Sequence, residues 1–125
     1  MRVRIAVVIA VAALGLAGAA VALGSSSATP TLKGTVGPGF TITLKNSKGQ
    51  KVKTLTAGTY KIAISDKADI HTFSLKQVSG GHFNKDLTSD TFVGTKTVTV
   101  KLTKGKWQYY CAIHPTSMFG NFTVK

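Results

Sequence analysis

One cysteine, two histidines and one methionine carry the chemistry that this sequence offers. Cys111 is the only cysteine of the chain, His114 follows it at the third position, and Met118 stands four residues beyond that. A further histidine, His71, lies 40 residues before the cysteine. Two imidazoles, one thiolate and a weakly bound thioether form the ligand set of a copper site that transfers single electrons. We therefore predict that these four side chains bind one copper ion, which alternates between Cu(I) and Cu(II).

Each of these residues also has an ordinary structural explanation when it is taken alone. A lone cysteine cannot form an internal disulfide, so it pairs with another chain, stays exposed, packs as an inert buried thiol or binds a metal. His71, near Phe73, is compatible with a ring at the rim of a core, and Met118 with apolar filling. The tight spacing of cysteine, histidine and methionine near the C-terminus favours the metal site over three unrelated roles.

Other chemistries fit these residue types less well. Zinc rarely accepts a thioether and prefers more thiolates or imidazoles. A nucleophilic pair of Cys111 and His114 lacks a nearby Asn or Asp that would orient the imidazole. A binuclear copper centre would require a second cysteine, which the sequence does not contain. We therefore predict no catalytic residue, and an electron carrier rather than an enzyme.

The elements that must position these residues are short β-strands. Apolar and polar residues alternate in runs that are separated by glycine-containing turns. The runs span residues 40–44, 52–55, 60–64, 71–75, 98–102, 107–111 and 122–124. Residues 79–89 have no sustained period and are predicted to form a long loop. This pattern predicts an all-β fold, either a sandwich or a barrel.

Strand periodicity also predicts where the candidate ligands point. Alternate side chains of a strand lie on the same face of the sheet. Cys111 therefore shares a face with Trp107 and Tyr109, which are expected core residues, and His71 shares a face with Phe73. A strand that ends at Cys111 can project the thiolate from its tip while the following loop curls back around the same point.

The first 24 residues have the layout of an export signal. Two arginines stand within the first four residues, and residues 5–23 contain no charged side chain. A basic start followed by an apolar run is typical of a secretory signal peptide, and about 20 residues also suffice for a membrane anchor. We predict a signal peptide or N-terminal anchor over residues 1–24, a linker over 25–36 and one domain over 37–125. Either N-terminal segment implies export, with membrane association through residues 5–23 if it is not cleaved.

The chain after this segment is strongly basic, and all of its positive charges are lysines. Without Arg2 and Arg4 it carries 14 lysines against four aspartates, a net charge of +10. Arginine is suited to bidentate recognition of phosphates and bases, so its absence argues against nucleic acid as a partner. The lysines either keep exposed strand edges soluble or attract an acidic partner protein or an anionic polymer.

Two segments of the chain resemble bacterial cupredoxins, the family of plastocyanin and azurin. Residues 57–75 are similar to the region of the first histidine ligand in that family. Residues 104–124 are similar to the region of its Cys–His–Met ligands, including the Met-x-Gly sequence and the closing strand. The resemblance implies a Greek-key β-sandwich or barrel with copper at one end. The implied ligands are the equatorial imidazoles of His71 and His114, the thiolate of Cys111 and the axial thioether of Met118.

Some positions depart from the common cupredoxin pattern. The loop between the second histidine and the methionine is intermediate in length between plastocyanin-like and amicyanin-like loops. Thr72 stands where many cupredoxins have an Asn that ties the two ligand loops together, and its hydroxyl is expected to make a similar tether. The resemblance also implies that a redox partner docks on an apolar patch around the edge of His114, formed by Ile113, Pro115 and Phe119.

Three functions are compatible with these features. The chain is an electron shuttle for an exported or membrane-bound redox partner, a protein that buffers or delivers copper, or a metal-free β-sandwich used for interaction. Delivery would favour an open, methionine-rich surface, whereas only Met1 and Met118 occur here. The electron shuttle is therefore the leading hypothesis, and we expect it to act as a monomer.

Overall fold

The structure is a computed structural model that describes residue 18 and residues 27–125. Apart from Gly18, the predicted signal or anchor segment over residues 1–24 lies outside the described residues. Among the residues that are described, none forms a helix long and apolar enough to cross a membrane.

Nine β-strands, and no helix, make up the regular structure of the described residues. In chain order they are β1 (Thr31–Val36), β2 (Ile42–Lys45), β3 (Thr54–Leu55), β4 (Gly58–Asp66), β5 (Ser74–Ser79), β6 (Asn84–Asp86), β7 (Gly94–Leu102), β8 (Gly105–Tyr110) and β9 (Phe119–Val124). One sheet has the strand order β2-β1-β4-β7, and the other β3-β9-β8-β5-β6. Two neighbouring pairs are parallel, β1 with β4 and β3 with β9, and the others are antiparallel. The all-β prediction is confirmed.

The linker predicted over residues 25–36 is wrong for its last six residues. Residues 31–36 form β1, which pairs along its whole length with β4 and over four residues with β2. Its inward positions are Leu32, Gly34 and Val36, all of them buried. The inward position 34 must be glycine, because a Cβ there would lie only 2.7 Å from the ring of Phe73. A glycine interrupts the alternation of apolar side chains, so the sequence pattern does not indicate this strand. The folded domain therefore begins at Thr31 rather than at residue 37.

The core lies between the two sheets and is rich in aromatic rings. Phe73 and Tyr109 stack with their centroids 6.2 Å apart, and Trp107 stacks on Phe122 at 6.3 Å. The indole N–H of Trp107 donates to the carbonyl of Thr103 at 2.8 Å, which satisfies its one polar group. The predicted core positions of Trp107 and Tyr109 are confirmed by their burial, and Phe122 is buried beside them.

Two segments of the structure differ from what the sequence periodicity predicts. His71 precedes β5 and is not part of a strand, although the run 71–75 alternates. The predicted loop over 79–89 contains the three-residue strand β6, in which every residue is exposed. An exposed edge strand has no apolar face, so its sequence carries no alternation that could reveal it.

Candidate metal centre

The candidate ligands meet at one end of the second sheet. Cys111 directly follows β8, and His71 lies three residues before β5. These two strands pair antiparallel with Ser74 opposite Tyr110, so the start of one and the end of the other lie side by side. The pairing therefore brings together residues that are 40 positions apart in sequence.

Three donor atoms form a compact triangle at this end. Nδ1 of His71 and Nδ1 of His114 are 3.2 Å apart, and Sγ of Cys111 is 3.8 Å from the first nitrogen and 3.7 Å from the second. A circle through three points with these separations has a radius of about 2.1 Å, close to the metal–nitrogen and metal–sulfur distances of protein sites. The residues present therefore fit a first-row transition metal ion, which the two imidazoles and the thiolate would hold together.

The triangle is largely shielded from water. Cys111 and His71 are fully buried, and His114 is half-buried. Nε2 of His71 is a buried nitrogen without a hydrogen-bond partner among the described residues. The ring of His71 thus makes its polar contacts through Nδ1 alone, the atom that faces the sulfur and the second imidazole. This orientation suits a metal ligand better than a histidine held by its own hydrogen bonds.

The loop from Cys111 to Met118 closes on itself through backbone hydrogen bonds. The N–H of Cys111 donates to the carbonyl of Met118 at 2.9 Å, and the N–H of Met118 donates to the carbonyl of His114 at 3.0 Å. The N–H of His114 in turn donates to the carbonyl of Cys111 at 3.2 Å. The side chain of Met118 is 1% exposed. The backbone thus holds the three residues together, and the thioether as a fourth ligand stays a prediction.

Thr72 ties the two ligand segments together. Its hydroxyl oxygen accepts a hydrogen bond from the N–H of Ala112 at 2.8 Å, and its own N–H donates to Sγ of Cys111 at 3.4 Å. The expected tether by a hydroxyl in place of an Asn amide is confirmed. Thr72, the residue after His71, is thus hydrogen-bonded both to the sulfur of Cys111 and to the backbone of the next residue. These two bonds fix the position of the cysteine segment relative to His71.

Phe40 is a neighbour of both imidazoles that the sequence pattern misses. Its ring lies edge-on to His114, with centroids 4.9 Å apart, and edge-on to His71 at 5.7 Å. Periodicity placed Phe40 in a strand on the same face as Ile42 and Leu44, but β2 begins only at Ile42 and Phe40 is 62% exposed. The Gly-Pro-Gly sequence at 37–39 was the available signal, because it marks a turn that ends directly before Phe40.

The exposed surface beside His114 is apolar with an acidic margin. Ile70 and Ile113 are each about half exposed, and together with His114, Asp69 and Asp90 they line one groove. Pro115 and Phe119, the other members of the predicted apolar patch, are exposed as well. Only Ile113 of the predicted patch lines this groove.

Two tyrosines next to the site are kept in their neutral form. Burial raises the pKa of Tyr109. Burial also raises the pKa of Tyr110, and the nearby carboxylate of Asp86 adds to this effect. The hydroxyl of Tyr110 donates to Oδ1 of Asn84 at 2.7 Å. Neither phenol therefore supplies a negative charge beside Cys111 at neutral pH.

Comparison with known proteins places the fold. No family model and no curated protein sequence matches the chain. Among solved structures, a methionine-to-glutamine variant of rusticyanin superposes with a TM-score of 0.56 at 21% identity, covering 80% of both chains. A second structure, described as that of the copper protein rusticyanin, superposes with a TM-score of 0.55 at 22% sequence identity and covers 80% of each chain. Rusticyanin from Thiobacillus ferrooxidans superposes with a TM-score of 0.50 at 25% sequence identity, over 80% of this chain and 79% of that one.

This chain has the cupredoxin fold. The resemblance noted in its sequence is thereby confirmed, as is the two-sheet all-β architecture that it implied. The His–Cys–His triangle is a candidate metal site within this fold, since its three donor atoms lie within 4.8 Å of one another.

Proposed function

We propose that this cupredoxin is a type 1 copper protein that carries single electrons outside the cytoplasm. The observation that carries the proposal is the buried triangle of two Nδ1 atoms and one Sγ, which matches the donor set of such a site. The rusticyanin structures support it, since one is described as that of a copper protein and another as that of the reduced form.

Each candidate ligand has a distinct role in the proposal. Cys111 would bind as a thiolate, His71 and His114 through Nδ1, and Met118 as a weak axial ligand. When bound, one copper ion per chain supplies a one-electron couple between Cu(I) and Cu(II). The chain's own contribution is a site whose backbone and hydroxyl bonds hold the ligands in one arrangement, so that little rearrangement accompanies a change of charge.

The half-buried imidazole of His114 is the proposed route for the electron. It is the one member of the triangle that is not fully buried, and it lies in the groove with Ile70 and Ile113. A redox partner, soluble or membrane-bound, would dock over this groove. Because Asp69 and Asp90 line it, an acidic face of a partner would meet like charges there, and a neutral or basic face is favoured.

The alternative functions receive less support from the same residues. Copper delivery favours exposed methionines, whereas Met118, the only methionine among the described residues, is buried. In a metal-free protein, a hydrogen bond between the two imidazoles would account for their 3.2 Å separation. Such a bond gives no reason for the sulfur to converge on both nitrogens while Nε2 of His71 is left without a partner.

Export of the protein, with a signal peptide or anchor over residues 1–24, is part of the proposal and has its support in the sequence. A fully buried single thiol also suits an oxidising compartment, because Cys111 is then protected from pairing with other thiols. Mass analysis of the exported protein distinguishes a cleaved form from one that retains residues 5–23. Retention of the full mass in the cytosolic fraction would contradict export.

The electron-carrier proposal is tested by adding one equivalent of Cu(II) to the purified protein. We expect an intense blue colour that a mild reductant removes and an oxidant restores. Cys111→Ser should abolish the colour while the circular dichroism of the β-fold persists. A pale spectrum of nitrogen and oxygen ligation would instead support adventitious binding or copper handling.

A further inference from the structure

Three hydrogen bonds in series connect the protein surface to the backbone beside Cys111. The N–H of Ala112 donates to Oγ1 of Thr72 at 2.8 Å, Oγ1 of Thr72 lies 2.7 Å from Oγ of Ser74, and Oγ of Ser74 donates to Oδ1 of Asp86 at 2.6 Å. Thr72 and Ser74 are buried, whereas Asp86 is exposed. We call this series the Asp86 chain.

The carboxylate of Asp86 fixes the direction of every bond in the Asp86 chain. An ionised carboxylate only accepts hydrogen bonds, and each hydroxyl has a single proton to donate. Ser74 gives its proton to Asp86, so Thr72 must donate to Ser74. The lone pairs of Thr72 then remain available to the N–H of Ala112. Hydrogen bonds to a charged acceptor are stronger than neutral ones, and buried bonds in series polarise one another.

Thr72 contacts the cysteine segment twice, and the Asp86 chain acts on one of these contacts directly. Its hydroxyl accepts from Ala112, and its N–H donates to Sγ of Cys111. The first contact fixes the spacing of the two segments and therefore the geometry of the second. Hydrogen bonding around the cysteine sulfur is one of the factors that tune the reduction potential of a blue-copper site.

We propose that Asp86 is a positioning residue for the metal centre, acting through Ser74 and Thr72 on the hydrogen bonds that hold Cys111. Strand pairing supports this role, because Asp86 lies opposite Ser74 in the register of β5 with β6. The role also explains a three-residue strand that buries nothing of its own, since β6 presents the carboxylate to a buried hydroxyl.

Two other aspartates provide matched comparisons. The N–H of Phe73 donates to Oγ1 of Thr88 at 2.8 Å, and Thr88 donates to Oδ2 of Asp66 at 2.8 Å. This second series ends on the His71 side and does not reach the cysteine segment.

Asp90 is exposed, lines the same surface groove as Asp86 and belongs to neither series. Asp90→Ala therefore removes the same charge from the same region without breaking a bond of the Asp86 chain.

Amide hydrogen exchange in the copper-free protein tests the proposal without reference to function. Asp86→Ala and Ser74→Ala should each speed the exchange of the Ala112 amide by roughly two- to threefold, because they weaken its bond to Thr72 without removing it, whereas outright loss of that bond would give about tenfold. Asp90→Ala should leave the rate unchanged. In a Thr72→Val background, which lacks the hydroxyl, Asp86→Ala should add nothing further. An unchanged rate in Asp86→Ala, or an equal increment in the Thr72→Val background, would overturn the proposal.

The reduction potential of the copper-loaded protein gives the second readout and rests on the proposed function. Asp86→Ala should give a lower potential than Asp90→Ala, because both variants lose one negative charge but only Asp86→Ala loosens the hydrogen bond to the sulfur, which then donates more charge to Cu(II). Asp90→Ala only removes a negative charge and should raise the potential or leave it unchanged. An equal upward shift in both variants would mean that Asp86 acts only through its charge. If the protein failed to bind copper, the proposed function would be wrong, and the exchange rates would still decide the role of Asp86.

Discussion

The ring of Phe40 lies edge-on to the imidazole of His114, with the two planes at 87° and the centroids 4.9 Å apart. The same ring lies edge-on to His71 at 73°. One side chain from the turn before β2 thus contacts both histidines of the candidate site, although β2 belongs to the other sheet. Gly37 permits this approach of the turn, since a Cβ there would lie 3.1 Å from Cδ2 of His71.

Phe40→Ala should open the metal centre without unfolding the protein. The ring is mostly exposed, so its loss should change the free energy of unfolding by about 0.5 kcal/mol or less. Both imidazoles become accessible to water and small ligands, and we expect loss of copper to a strong chelator to speed up several-fold. Stopped-flow loss of the blue absorption measures this rate. Val78→Ala, at a similarly exposed position away from the histidines, is the control, and equal rates in the two variants would contradict the role of Phe40.

Met118→Gln should lower the reduction potential and keep the blue colour. An amide oxygen is a harder donor than a thioether and favours Cu(II), while Cys111, His71 and His114 are untouched. Burying the amide should also cost about 1–3 kcal/mol of stability if its polar atoms are not all satisfied. Protein-film voltammetry measures the potential. A potential equal to that of the unaltered protein would indicate that the side chain at position 118 does not reach the copper ion.

Gly34→Ala should destabilise the fold by about 1–3 kcal/mol, the usual cost of overpacking a core. The added Cβ would lie 2.7 Å from the ring of Phe73, which cannot retreat because it stacks on Tyr109. Urea denaturation of the copper-free protein measures the loss. The control is Gly39→Ala, since a Cβ at Gly39 meets nothing within 4 Å. Equal midpoints for the two variants would show that β1 does not pack as described.

Copper should stabilise the folded protein, by an amount that grows with the logarithm of its affinity. A ligand that binds only the native state adds about 4 kcal/mol when its free concentration is a thousand times its dissociation constant. We therefore expect a higher Tm on loading, measured by differential scanning calorimetry. Cys111→Ser should lose most of this increase. His82→Ala, which removes the exposed third histidine, should retain it, and a loss there instead would indicate adventitious surface binding.

Residue type and spacing were enough to predict that His71, Cys111 and His114 lie together, and that they bind copper stays a prediction. Two local patterns carry the prediction that they lie together, the short interval between Cys111 and His114 and the alternation from Trp107 to Cys111. Local patterns of this kind can be recognised within a single window of sequence. His71 was predicted to face inward, which it does, but from the segment before β5 and not from within a strand. His71 thus reaches the other two candidate ligands even though its local structure differs from the predicted strand.

What the sequence did not reveal depends on tertiary pairing. The sequence of β1 resembles a linker because its inward position 34 is a glycine, which interrupts the apolar alternation. Only in the folded protein does the ring of Phe73 fill the space beside Gly34. Asp86 was an ordinary polar residue in a loop until the pairing of β6 with β5 set it opposite Ser74. The alternation over residues 40–44 predicts Phe40 within a strand, whereas the path of the turn before β2 brings its ring over the histidines. Each of these features arises from contacts between distant segments, which no single window of sequence contains.

X-ray absorption spectroscopy of the copper-loaded protein tests the central claim most directly, because it measures which atoms surround the ion. Binding at the triangle of His71, Cys111 and His114 predicts two nitrogen scatterers and one sulfur scatterer at short distance, each within about 2.0–2.3 Å of the metal. The sulfur contribution should vanish in Cys111→Ser. A first shell of nitrogen and oxygen atoms without short sulfur in the unaltered protein would contradict the proposed centre.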